Sequence, residues 1–199
     1  QEASDEWAAW RQTLKARLKA TTAVLTSVYT KVKQNPKRVV FAEAENEVVL
    51  RAAIQFRDFG YGTPVLVGRT QAVLDKLAEL GINDPESYEI HNSNVSPLVP
   101  EMVAFLYRRL QRRGFLQRDV RRMVNQDRNV FASLLVALGH GDALISGMTR
   151  TFAQSMKEVL QVIDPKPGHL PFGIHMMVAK KYTVFLADTT VNERPSAED

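Results

Sequence analysis

Two short apolar runs, RVVFA at 38–42 and PVLVG at 64–68, constrain the fold of this chain more than any other feature, because helical periodicity follows each of them. Both are β-branched and bounded by Pro, Gly or charged residues, as strands are. The second is apolar throughout, as a strand covered on both faces must be. Asn46 is placed to cap the helix between them, whose apolar face comprises Val49, Leu50, Ala53, Ile54 and Phe56. Gly60 and Gly62 close that helix. Thr70 opens another, with Val73, Leu74, Leu77 and Leu80, which stops at Gly81. Strand, helix, strand, helix at this spacing calls for a parallel sheet joined by right-handed crossovers. The fold class expected is therefore α/β.

The rest of the chain extends that pattern. Strands are expected at YEI (88–90), at a buried DALIS (142–146), and at IHMMVA and TVFLAD (183–188). Met176 and Met177 read as core. Helices are expected over 98–113, 117–124, 130–139 and the later part of 148–163, which Pro165, Pro167 and Gly168 break. Toward the N-terminus, Trp7, Trp10, Leu14, Leu18, Leu25 and Val28 recur at helical spacing. Residues 6–33 read as one or two helices, ended by Asn35-Pro36.

Composition narrows the chemistry. The 199 residues contain no Cys, which excludes disulfides, thiolate metal sites and a Cys nucleophile, and suits a cytoplasmic location. No apolar run reaches the length of a membrane span, and the acidic QEASDEWAAW start is unlike a secretory signal. The absent initiator Met suggests a chain cut from a longer one. His91, His140, His169 and His175 lack any metal-site spacing, so no metal site is expected. No Walker loop, G-x-G-x-x-G fingerprint or G-x-S-x-G elbow is present.

Ligands of open α/β sheets bind beyond the carboxyl ends of the strands. Three segments occupy such positions. Ser146, Gly147, Thr149, Arg150 and Thr151 combine a small turn, hydroxyls, a guanidinium and a helix start, which suits phosphate or pyrophosphate; helix capping plus a surface arginine is the plainer reading. Asp188, Thr190 and Asn192 could orient a ligand, or simply form a strand-end turn. Glu43, Glu45 and Glu47 could serve base or metal chemistry, but read better as carboxylates complementing a helix dipole. No catalytic residue can be named.

Eight arginines between Arg108 and Arg128 face only Asp119 and Asp127, a surplus of six against +4 for the whole chain. Such a stripe could meet nucleic-acid phosphates. Leu106, Leu110, Phe115, Leu116, Val120 and Val124 interleave with it as a helix core face, so a solvated face or an interface with an acidic partner is preferred.

NPKRVVFAEAENEVVLRAA resembles the opening of the phosphate acetyltransferase/phosphate butyryltransferase family, usually KRVVFAEGEDERVLRAA. GDALISGMTRTFAQSMKEVLQVID is similar to the segment at that family's domain junction, and VFLADTTVNERPSAED to its ADTxVNxxPTAE motif. The variant resembled most is the C-terminal phosphotransacetylase-like domain of large bacterial NADP-dependent malic enzymes, and DEWAAWRQTLKARL is similar to the linker helices there.

The resemblance implies a three-layer α/β/α fold with a mostly parallel sheet, like isocitrate and isopropylmalate dehydrogenases. Acyl-CoA would lie in a cleft between two domains. It implies a linker at 1–34, a first domain at 35–145, and the truncated start of a second domain at 146–199. Acyl-CoA or phosphate would contact Ser146, Gly147, Thr149, Arg150, Thr151, Asp188, Thr190 and Asn192. Acetyl-CoA would be effector or substrate, with no cofactor in this chain; NADP and a divalent metal would belong to an upstream malic-enzyme module. Homo-oligomers and allosteric control of the parent oxidoreductase, which decarboxylates malate to pyruvate, follow from the same likeness. The alternative it implies is an acyltransferase moving acetyl or butyryl groups between CoA and phosphate. Two departures stand out. Ala44 replaces the usual Gly, where its methyl could narrow a ligand's approach, and Asn46 replaces an acid. The family's serine-rich phosphate segment is also expected to lie beyond this chain.

Overall fold

The computed structural model describes residues 10, 20–179, 182–188, 190–193 and 196. The chain divides into two compact units, Asn35–Asp164 and a second formed by 1–34 with 165–199.

The first unit is built on a four-stranded parallel sheet. Strands β1 (Lys37–Phe41), β2 (Gly62–Val67), β3 (Glu89–His91) and β4 (Ala143–Ile145) take the order β3-β2-β1-β4. Register pairs Val40 with Val65 and with Leu144, and Leu66 with Ile90. Alternation along the two central strands divides the core. Val39, Phe41 and Leu66 pack against α2 (Glu47–Asp58) and α3 (Thr70–Glu79). Val40, Ala42, Val65 and Val67 pack on the other face. There they meet α4 (Val99–Leu110), α5 (Gln117–Gln126), α6 (Arg128–Ala137) and α7 (Phe152–Val162). Strands buried on both faces need apolar residues at every position, which is why RVVFA and PVLVG show no polar alternation. Three layers, α/β/α, result.

The Asn46 cap forms as expected, and a second cap that the sequence reading did not name starts α6 two residues earlier than the expected 130. Asn46 accepts hydrogen bonds from the N–H groups of Val48 (2.9 Å) and Val49 (3.4 Å) at the head of α2. Asp127 does the same for Asn129 (3.1 Å) and Val130 (3.4 Å) at the head of α6.

Three expectations need correction. DALIS is not a buried strand: β4 is a sheet edge, with Ile145 47% exposed. Residues 146–164 pack within the first unit rather than opening a second, because α7 places Val162 in the core beside α6. Met176 and Met177 are not core either.

In the other unit, α1 (Ala20–Gln34) is a helix, and β5 (Ile174–Val178) and β6 (Thr183–Ala187) form an antiparallel pair in which Met176 stands opposite Phe185. Met177 and Phe185 are exposed. Among the described residues α1 touches β5, yet both strands stay largely exposed, as a two-stranded pair with little packed against it does. Most of the expected N-terminal helix before Ala20 lies outside the described residues. Among the described residues, no helix is long and apolar enough to cross a membrane.

Candidate functional site

The chain runs β1, β2, β3 to one side and then returns to place β4 on the other side of β1. That reversal is the topological switch point, and ligands of open α/β sheets bind beyond the strand ends there. Two loops leave those ends: 42–46 after β1 and 146–151 after β4.

Glu43 ties the loops together. It is buried, and its carboxylate accepts hydrogen bonds from the backbone N–H of Met148 (2.7 Å) and Thr149 (3.0 Å) and from the Thr149 hydroxyl. Burial alone would raise its pKa, but these donors outweigh it and hold the carboxyl below its ordinary value. Gly147, at φ +103°, makes the turn that presents both N–H groups; a side chain would be strained there.

The sequence reading of Glu43 and Glu45 as dipole complements is therefore incomplete. Glu45 receives Arg69 through its backbone N–H (2.9 Å) and Nη2 (2.8 Å), and Arg128 at 3.2 Å. The Arg69 hydrogen bond is the main reason its pKa falls to about 2. Only Glu47 stays local, in an i,i+4 pair with Arg51.

Arg150, expected to face an anion, is held by protein carboxylates. Its Nη1 lies 3.3 Å from both Asp127 oxygens and donates to Glu158. Glu158 is 2% exposed and also accepts from Asn129 Nδ2 (2.7 Å) and Gln154. Burial would raise the Glu158 pKa, but these donors and the guanidinium keep it low. Asp127 is pushed up, by burial first and then by the neighbouring Glu158 charge, against the pull of Arg150. Ser146 donates to Asn129 Oδ1, and Thr151 caps α7 by accepting from Gln154 N–H (3.4 Å). Capping describes Thr151, but Arg150 is no plain surface arginine, since Asp127 and Glu158 pair with it internally.

Asp188, Thr190 and Asn192 fall in the other unit. Asp188 accepts from the N–H groups of Thr190 (2.9 Å), Val191 (3.0 Å) and Asn192 (3.0 Å) and from Asn192 Nδ2 (2.6 Å). Against the upward pull of desolvation, these four donors hold its carboxyl well below the usual range. Asn192 Nδ2 also reaches Pro171 O at 2.9 Å. Thr189 lies outside the described residues.

Two crevices open beside loop 42–46. An apolar one of about 310 Å³ sits at the switch point, lined by Phe41, Glu43, Val48, Ala52, Ile145 and Met148. A polar one of about 400 Å³ lies beyond β2 and β3, lined by Glu45, Arg69, Asn92, Asn94, Asn125 and Arg128 among others. Sequence reasoning had placed Glu43, Ser146 and Gly147 of the first at strand ends, but missed the second, which draws on four separated segments. The Ala44 methyl, expected to crowd a ligand, is instead fully buried in the core under α2. Among the described residues no group of three or more His, Asp or Glu could hold a metal ion. The arginine stripe is interrupted by pairing of Arg109 with Asp164, Arg122 with Asp119, and Arg128 with Glu45.

Comparison with known proteins agrees with this architecture. Residues 23–199 match the family model described as phosphate acetyl/butaryl transferase. The chain is 38% identical over 192 residues to an NADP-dependent malic enzyme of Rhizobium meliloti, covering 96% of this chain and 25% of that protein. It is 30% identical over 174 residues to a phosphate acetyltransferase of Helicobacter pylori, covering 87% of this chain and 33% of that one. A phosphotransacetylase structure from Streptococcus pyogenes superposes with a TM-score of 0.76 at 26% identity, over 86% of this chain and 54% of that one. The chain spans about a quarter of the length of the malic enzymes it matches. By fold, by family match and by these likenesses, this chain belongs to the phosphate acetyl/butaryl transferase family.

Proposed function

We propose that this chain is a phosphotransacetylase-like domain of an NADP-dependent malic enzyme, which binds acetyl-CoA as an effector and helps assemble the oligomer. The parent reaction would be oxidative decarboxylation of malate to pyruvate, with NADP and a divalent metal held in a separate module, in the cytoplasm. Likeness to a malic enzyme along 96% of the chain supports the parent assignment. The observation that carries the effector reading is the state of Arg150. Its guanidinium is engaged by Asp127 and Glu158, whereas acyl transfer to phosphate needs cations presented to the charge that develops on the substrate. A loop latched by Glu43 and anchored by Arg150 is suited to report occupancy rather than to perform transfer.

Acyl-CoA would lie beyond loops 42–46 and 146–151, against Ser146, Gly147, Thr149, Arg150 and Thr151. The alternative is a phosphate acyltransferase, supported by 30% identity to the Helicobacter pylori enzyme. Calorimetric titration with acetyl-CoA, paired with an assay for acetyl phosphate formation, separates the two. Saturable binding without turnover is the expected result, and turnover dependent on phosphate would establish the transferase. Absence of binding would overturn both.

A further inference from the structure

The polar crevice beyond β2 and β3 lies outside the switch point and is not used by the reading above. Its walls are unusually amide-rich, with Asn92, Asn94 and Asn125 supplying carboxamides beside two guanidiniums, Arg69 and Arg128. Among the described lining residues Glu45 is the one carboxylate against two guanidiniums, a net single positive charge. Both arginines converge on it, yet Arg69 reaches it only through its backbone, Nε and Nη2. Among the described residues, Nη1 of Arg69 makes no hydrogen bond, and its side chain is 70% exposed.

Three further features point to an occupant. Among the described residues, the Oδ1 of Asn125 has no hydrogen-bond partner although it is sealed from solvent, so this wall residue can turn toward a ligand donor without breaking a bond at that atom. Gly68 and Arg69 bring the N-terminus of α3 to the same wall, where the Arg69 side chain makes no cap and, among the described residues, Glu45 accepts from only one backbone N–H, that of Arg69. A Cβ at Gly68 would stand 2.9 Å from Val73 Cγ2 and 3.2 Å from Glu45 Cγ, so only Gly lets the backbone, Glu45 and α3 pack this closely. The walls are also pre-built. Ser93 Oγ donates to Asn125 O at 2.7 Å, tying the loop after β3 to the end of α5, and Asn94 N–H donates to Asn92 Oδ1 at 3.1 Å.

We propose that this crevice is a binding site for a phosphate monoester of a small polyol. The phosphate sits between Arg69, Arg128 and the head of α3, where forked guanidiniums and helix N–H groups both favour it. The hydroxyls pair with the carboxamides, and one of them donates to Asn125 Oδ1. At about 400 Å³ the crevice falls within the roughly 300–1,000 Å³ usual for small-molecule sites.

The test is calorimetric titration of this chain with glycerol 3-phosphate, inorganic phosphate and glycerol, beside chemical-shift mapping on the unaltered chain. Glycerol 3-phosphate should bind about tenfold or more tightly than inorganic phosphate, glycerol alone should not bind, and the amides of Gly68, Arg69 and Asn94 should shift. Arg69→Gln and Arg128→Gln should each weaken binding about tenfold or more, with unfolding midpoints measured alongside. Equal affinity for ester and inorganic phosphate, shifts confined to other residues, or unchanged binding in both variants overturns the proposal. Acetyl-CoA titrated into the same variants reads the switch-point site separately, so loss of one ligand without the other distinguishes the two.

Discussion

Arg150 shows what one side chain does when two carboxylates share it. Asp127 and Glu158 both point at its guanidinium, and Glu158 is 2% exposed, so removing the cation leaves two negative charges in a poorly solvated place. Breaking a buried pair from one side costs more than the pair was worth, because the orphaned charge stays. Arg150→Ala should therefore lower stability at pH 7 by about 2–4 kcal/mol, at the low end because the arginine is 34% exposed. The sign of the pH effect is distinctive. Without the guanidinium both carboxyl pKa values rise relative to the parent, Asp127 further above its ordinary value, so the deficit shrinks as pH falls and the acids protonate. Urea unfolding of parent and variant at pH 7 and pH 5 checks this, and a deficit that grows on acidification would show that Arg150 acts otherwise.

At the scale of elements, what could be read in advance followed local rules. RVVFA and PVLVG announced central strands because both faces of each are covered, and Asn46 announced α2 because a short side-chain acceptor suits the β-region backbone of a cap. Asn46→Ala should destabilise by about 1 kcal/mol, read as a lower urea midpoint with unchanged m-value. DALIS was misjudged because an apolar run looks alike in the middle of a sheet and at its edge; only pairing order tells them apart. The Met176-Met177 run failed in the same way, since hydrophobicity does not say whether a second layer exists. Thr149-Arg150-Thr151 was located but its bonds were not. The partners of Arg150, Asp127 and Glu158, stand 23 and 8 residues away, and Glu43 meets Thr149 across 106 residues. Pairings over such separations are set by topology, to which spacing gives no access.

At the scale of the whole molecule, acid stability should track Glu45. Its folded pKa near 2 lies below the unfolded value of 4.5, so its contribution is complete above pH 4.5 and is lost as pH falls toward 2. After discounting for the 70% exposed Arg69, that contribution is on the order of 1–2 kcal/mol. Glu45→Gln should flatten the stability profile between pH 4.5 and 2, and an unaltered slope there would place the acid sensitivity on other groups. Positions 127 and 128 carry a wider implication. Asp127 holds the guanidinium of the 146–151 loop, and Arg128, next in the chain and first in α6, holds the carboxylate of the polar crevice. The two residues are joined by one planar peptide at the head of α6, where the Asp127 side chain also caps the helix. One dipeptide thus anchors both neighbourhoods, so a change to the backbone at 127–128 disturbs the Arg150 pairing and the Glu45 pairing together.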